Sequence, residues 1–479
     1  MRRPGFRFRS RALLGSVLFL ALLGAAAWAQ FWGAQATATR AQRAWQASRA
    51  TAARAWLGLL WQQRPADPAR AEAYARALAQ AGQWATVQRV LTTARAAGAP
   101  LSPTGFRLLA QAYTRQGEPA AALEVWRAAV RVHPHEPGLW RDYAAALDAA
   151  HRWPEAGRAW QRAARLAPED LESAYQAALH MAAVSPQAGR AALAPLAAGG
   201  PYASQAARVL QAVDAGLAGG HETYARVQTG RGLAAVGRWD LATWAWALAV
   251  RQMPDYAPAW AYLGEGYRRL GWDKAALGAL RTARALAPQD PLPALLWAAY
   301  AQQHGQPFTA LAWARRAWAA APDDPALAAH LAVALTRALP GQIGPALAVL
   351  HYPPRAHPQD PDAWLTLARL ALQWDLVAEQ ALPALRHVLA LNPEHPQALA
   401  LMGHAYARLG DATTAEQFLI RALQHDPGLA EAHLYLAWVY LATDRAPAAQ
   451  EHLLWAMRLA PHDDPIAALA RRTWQRVAP

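Results

Sequence analysis

The sequence predicts an all-α solenoid, and three observations carry that prediction. Ala, Leu and Arg dominate a chain of 479 residues that is 54% hydrophobic, while β-branched residues are thin, a balance that favours helix. Prolines recur at Pro65, Pro100, Pro134 and Pro168, then at Pro254, Pro288, Pro322, Pro358, Pro393, Pro427 and Pro461, mostly at steps of 34 residues. A fixed period in that range is the mark of stacked helical repeats. Within each period a glycine or aspartate turn separates two helical patterns, as at Gly117, Gly271, Gly410 and Asp444.

The N-terminus reads differently from the rest. Five arginines in MRRPGFRFRSR (residues 1–11) precede an uncharged stretch that runs to Arg40. Residues 12–32 have the length of a membrane-crossing helix, and the arginines ahead of them predict a cytoplasmic N-terminus with the body outside. Cleavage after Ala27-Trp28-Ala29 is the alternative, which would secrete the body. Residues 33–67 are expected to form a juxtamembrane helix and linker, with Arg40, Arg43, Arg49 and Arg54 near acidic headgroups or solvent. Ten of the 47 basic residues precede Asp67, the first acid, leaving 37 basic against 33 acidic residues in the body. The net charge of +14 is thus mostly terminal. A nucleic-acid interface needs a concentrated basic surface, so none is expected.

Repeats fill the chain from residue 68. One block is expected over 68–200 and a second over 221–463, with an irregular helix at 201–220 between glycine pairs, read as a hinge or a decayed repeat, and a capping helix at 464–479. Each proline closes a helix because its ring cannot continue the hydrogen-bond ladder. Aligned on these prolines, the units contain FRLLAQAY, WAYLGEGY, LALMGHAY and HLYLAWVY in the first helix, then a turn. AALEVWRAAVRVHP, AALGALRTARALAP, TAEQFLIRALQHDP and AAQEHLLWAMRLAP follow in the second. Small residues at Ala110, Ala144, Gly264, Gly403 and Ala437 let the paired helices approach. Ala122, Ala156, Ala276, Ala310 and Ala415 do the same from the second helix. Trp126, Trp160, Trp246, Leu280 and Leu419 fill the space between units. One helix pair cannot bury its apolar face alone, so stacking makes the core.

This pattern resembles the tetratricopeptide repeat, W-x2-L-G-x2-Y…A-x3-F…P, most closely at Trp260, Leu263, Gly264 and Tyr267. The resemblance implies a right-handed superhelix whose first helices line a concave face that takes peptides or helices of other proteins. Candidate contacts there are Arg107, Gln111, Arg115, Arg141, Arg231, Glu265, Arg268, Gln302, Arg369, His404, Arg408 and Trp438. Arginines suit carboxylates, and Trp438 suits an aromatic anchor. The Lys/Asn clamp that some members use for acidic C-terminal peptides is absent.

Chemistry is not legible. Gly264, Gly266, Gly271 and Lys274, the only lysine, suggest a phosphate loop. Trp272 and Asp273 break the spacing that such a loop needs. There is no cysteine, which removes disulfides and thiolate chemistry, and the sixteen histidines show no HExxH spacing. His133 and His135 beside Pro134 read as turn residues, and His462, Asp463 and Asp464 as a turn and N-cap. The acidic turns Glu169-Asp170, Asp323-Asp324 and Asp360-Pro361-Asp362 suit helix N-termini. No nucleophile elbow occurs. No cofactor, metal or enzymatic activity is expected. The reading is a membrane-anchored, extracytoplasmic scaffold for other proteins, in a layout that resembles assembly factors of envelope complexes, including the cytochrome c maturation type. The alternatives are a helical-repeat nucleic-acid reader and a non-catalytic subunit of an enzyme complex.

Overall fold

In the computed structural model, residues 50–98, 100–460 and 465–477 are described. They are helical, and the chain divides into two compact units, Met1–Ala174 and Tyr175–Pro479. The all-α repeat architecture expected from the proline period is what the structure shows.

In the first unit, helix pairs such as Pro103–Arg115 with Pro119–Val132 and Pro137–Ala149 with Trp153–Leu166 stack in chain order. Proline stands in the first turn of all four of these helices, where its missing N–H costs nothing. Asp67 and Ser102 cap helices with their side-chain oxygens. The Glu72 carboxylate is buried and accepts from the backbone N–H and hydroxyl of Ser102 at 2.6 and 2.5 Å, tying one repeat to the next. Trp126 and Trp160 are buried, at 8% and 4% exposed, and Trp160 donates its indole N–H to Asp148 on the paired helix at 2.9 Å.

The second unit continues the pattern from helix Glu222–Ala235 to Pro465–Val477. Gly264 shows why a small residue recurs in the first helix. A Cβ there would lie 2.8 Å from Leu280, which is fully buried on the paired helix. Gly403 stands in the same relation to Leu419, at 2.6 Å. Trp246 is 1% exposed. The segment singled out at 201–220 is a sixteen-residue helix, Ala203–Ala218, packed on both sequence neighbours. Asp324 and Asp360 accept from helix N-terminal backbone N–H groups, the role expected of the acidic turns. Turn glycines such as Gly271 take positive φ, here 76°, and Asp375 and Asp444 adopt the same left-handed backbone at 62° and 56°.

Irregular spacing has visible consequences. Between Pro358 and Pro393 the period gains one residue, and a π turn at Val377–Ala381 absorbs it. Such a turn is a one-residue insertion in a helix. Between Pro322 and Pro358 the period gains two, and the second helix breaks into Gly344–Leu350 and Tyr352–Ala356, with Pro353 and Pro354 at the start of the latter.

The membrane localisation expected from the sequence is corrected. Among the described residues no helix is long and apolar enough to cross a membrane. The longest of them, at sixteen residues, extends about 24 Å against a hydrocarbon core of about 30 Å. The expected span at 12–32, Ala27-Trp28-Ala29 and residues 33–49 lie outside the described residues, as do His462, Asp463 and Asp464.

Candidate functional site

Successive first helices lie side by side. Ala257–Arg269 touches Pro291–Gln303, Pro361–Gln373 touches Pro396–Arg408, and Pro396–Arg408 touches Ala430–Ala442. Consecutive second helices make no comparable contact. First helices therefore pack side by side at most steps of the unit, though Pro291–Gln303 and Pro325–Ala338 make no comparable contact with each other, and from Pro361–Gln373 to Ala430–Ala442 their outward-facing side chains share one surface.

Toward the end of this layer the surface sinks into a groove of about 620 Å³. Its walls follow helical stripes: Gln397, Leu401, His404 and Arg408 on one helix, Glu431, Tyr435 and Trp438 on the next. Residues at spacings of three and four share a helix face, so each stripe points one way. Ile466 and Leu469 of the last helix close the far side. The centre is aromatic. His404 stacks on Tyr435 with ring centroids 4.2 Å apart and planes 13° from parallel, and Trp438 lies 5.8 Å from His404. Burial pushes the His404 imidazole down to about 4, and the Arg408 guanidinium adds to this. At neutral pH His404 is an uncharged ring, not a cation for a carboxylate.

Polar groups rim the groove. Arg369 reaches across 62 residues of chain to Glu431 at 3.0 Å, and Glu431 also accepts from the Tyr435 hydroxyl at 2.9 Å. Burial, with Glu431 beside it, pushes the Tyr435 phenol far up, so it stays a donor. Arg408 donates to the Leu372 carbonyl at 3.1 Å and to Asp375 at 2.7 Å. Exposed ion pairs of this kind contribute at most about 1 kcal/mol; their effect here is to fix the orientation of the arginines at the rim.

Of the twelve residues expected from the sequence, Arg369, His404, Arg408 and Trp438 come together in this groove. Gln111 and Arg115 share a smaller cavity of about 170 Å³ in the first unit with Trp84 and Trp126, where Arg115 lies 5.8 Å from the Trp84 ring. The others are occupied between or within helices. Arg107 pairs with Asp142 at 2.5 Å and Arg141 with Asp170 at 3.5 Å. Glu265 is buried and pairs with Arg268 and Arg269. Arg231 lies over Tyr262, and Gln302 accepts from Arg337. Sequence reasoning missed Leu401, Glu431, Tyr435, Ile466 and Leu469. The stripes 397–401–404–408 and 431–435–438 were the signal that could have found the first three.

Among the described residues no cluster of three or more His, Asp or Glu side chains could hold a metal ion.

Residues 103–146, 378–422 and 408–472 match family models of the tetratricopeptide repeat. No curated protein matches the chain. Several solved structures are similar to it. One, titled as the APC/C hetero-tetramer Cut9-Hcn1, is 15% identical with a TM-score of 0.35, covering 92% of this chain and 96% of its own. A tetratricopeptide repeat protein from Parabacteroides merdae is 14% identical with a TM-score of 0.39, covering 52% and 98%. Pseudomonas aeruginosa pilF is 20% identical with a TM-score of 0.31, covering 45% and 97%. Likenesses this distant bear on no function. The family matches support the tetratricopeptide repeat for this chain, and the groove helices Pro396–Arg408 and Ala430–Ala442 lie inside the matched segments 378–422 and 408–472 respectively.

Proposed function

We propose that the protein is a non-catalytic scaffold that binds other proteins, and that the groove of Arg369, Leu401, His404, Tyr435 and Trp438 is its main seat. The tetratricopeptide repeat is a protein-interaction repeat. The observation that supports this seat is an aromatic and aliphatic floor rimmed by oriented arginines on consecutive first helices. An amphipathic helix or extended peptide fits such a floor, with apolar anchors inside and acidic groups toward the rim. The remaining first-helix candidates, Arg107, Gln111, Arg115, Arg141, Arg231, Glu265, Arg268 and Gln302, would then contribute secondary contacts. A role in assembling a multiprotein complex, catalytic or not, follows from the same surface.

Nucleic acid is a weaker fit. The repeat body is nearly neutral, and the groove arginines already face carboxylates.

The test fills the groove without disturbing the core. Gln397 is exposed and lines the groove, and Leu469 is 37% exposed. Gln397→Trp and Leu469→Glu are expected to release a protein partner that stays with Arg281→Glu, while the helical circular-dichroism signal is unchanged. Retention of the partner by both groove variants would sink this reading.

A further inference from the structure

A second cavity, of about 180 Å³, lies in the second unit away from the groove. It is built by Tyr175 and Gln176, by the start of the extra helix Ala203–Ala218, by the turn carrying Arg238, and by the end of helix Ala446–Leu459. Three guanidinium groups line it, Arg208, Arg238 and Arg458, and no carboxylate does. Arg238 is held in place by Asp240, which accepts from its Nε and Nη2 at 2.9 and 2.8 Å, and by Gln176. Arg208 makes no hydrogen bond or ion pair with any described residue. Arg458 is exposed, its guanidinium 5.5 Å from the Trp455 ring.

Tyr175 is the second independent feature. It is 6% exposed, stacks on Tyr202 at 4.6 Å, and its hydroxyl meets no partner among the described residues. Burial pushes the Tyr175 phenol up to about 12, so at neutral pH it has a proton to donate. Asp240 offsets the charge of Arg238, but Arg208 and Arg458 have no carboxylate partner among the described residues, and an anion between them relieves their mutual repulsion.

We propose that this cavity binds phosphate, as the inorganic ion or the phosphate group of a small monoester. Arg208 and Arg458 would clamp it, and Arg238 and the Tyr175 hydroxyl would complete the donor set. The arginines come from three separate elements, so their donors approach from different directions. A planar carboxylate is satisfied by one guanidinium fork, whereas phosphate presents oxygens all round and takes several. The volume corresponds to roughly six waters, enough for phosphate with a short substituent. This site is independent of the protein-binding groove.

Isothermal titration of the full chain at constant ionic strength, with inorganic phosphate, glycerol 3-phosphate and acetate, tests the assignment. Saturable one-to-one binding of a phosphate probe is expected, weakened at least tenfold by Arg208→Gln and by Arg458→Gln, and several-fold by Tyr175→Phe, which keeps the ring stack. Arg208 has no bond to lose, so its variant should melt like the parent. No saturable binding overturns the proposal. So does binding unchanged in the variants, which would mark adventitious attraction to a +14 chain. Acetate binding as tightly as phosphate also overturns it.

Discussion

Trp260 donates its indole N–H to the carbonyl of Pro254, six residues back, at 2.7 Å. The same tie recurs from Trp140 to Pro134 at 3.0 Å and from Trp364 to Pro358 at 2.9 Å. In the last full repeat His433 stands in for the indole, its Nε2 3.1 Å from the Pro427 carbonyl. In these four repeats the proline that ends one repeat supplies the acceptor that anchors the next, so the large residue opening the first helix is both filler and fastener.

Replacing these tryptophans by phenylalanine separates the two roles. Trp260→Phe removes the donor and leaves the Pro254 carbonyl to water, with an expected loss of about 0.5–1.5 kcal/mol. Trp364→Phe should cost less, because the His387 imidazole also faces the Pro358 carbonyl, at 2.9 Å. Urea midpoints of the two variants, compared with the parent, check the order. Equal losses would contradict it.

Three glycines of one repeat should respond differently to alanine. At Gly264 the new methyl meets buried Leu280, and overpacking of this kind costs about 1–3 kcal/mol. At Gly271 space is open, but φ is 76°, and a Cβ there costs about 1–2 kcal/mol. Gly278 lies exposed within helix Asp273–Leu286 with nothing nearby, so alanine should stabilise by about 0.5–1 kcal/mol. Thermal unfolding of the three variants gives the signs directly.

Stability of the second unit should fall in acid. Burial holds His404 down at about 4 in the folded protein, against 6.5 for the free side chain. Burial also lowers His330, His433 and His452. Below pH 6.5 the unfolded chain takes up protons that the folded one refuses, so stability is complete above 6.5 and is lost as pH falls toward 4. His404 alone accounts for about 3 kcal/mol by then. His404→Phe keeps the stack on Tyr435 and removes the titration. Its urea midpoint should vary less between pH 7 and 4.5 than the parent's, and an unchanged pH dependence would refute the assignment.

The repeat itself was legible because each of its signals is local. Pro254 to Pro288 sets a period, Gly271 sets a turn, and Gly264 opposite Leu280 sets the pairing, all within one unit. The groove was legible only in part, because it depends on how neighbouring units sit against each other. Arg369, His404, Arg408 and Trp438 could be read as non-core positions. Tyr435 belongs as much to the core, at 9% exposed, and Glu431 acts through Arg369, 62 residues away. The π turn at Val377–Ala381 was visible as one extra residue before Pro393, but the sequence does not say whether a loop or a helix takes it up. The membrane assignment rested on residues 12–32 alone, where apolar length was the whole argument and no repeat contact supported it.

The central claim is that the groove on the first helices holds another protein. A photo-crosslinking amino acid placed at Gln397, inside the groove, and in parallel at Arg281, on an exposed face of a second helix, tests it most directly in intact cells. The account predicts a discrete, protease-sensitive and nuclease-resistant adduct from position 397, reduced by Trp438→Ala and absent from position 281. Equal adducts at both positions, or an adduct that nuclease removes, would contradict it.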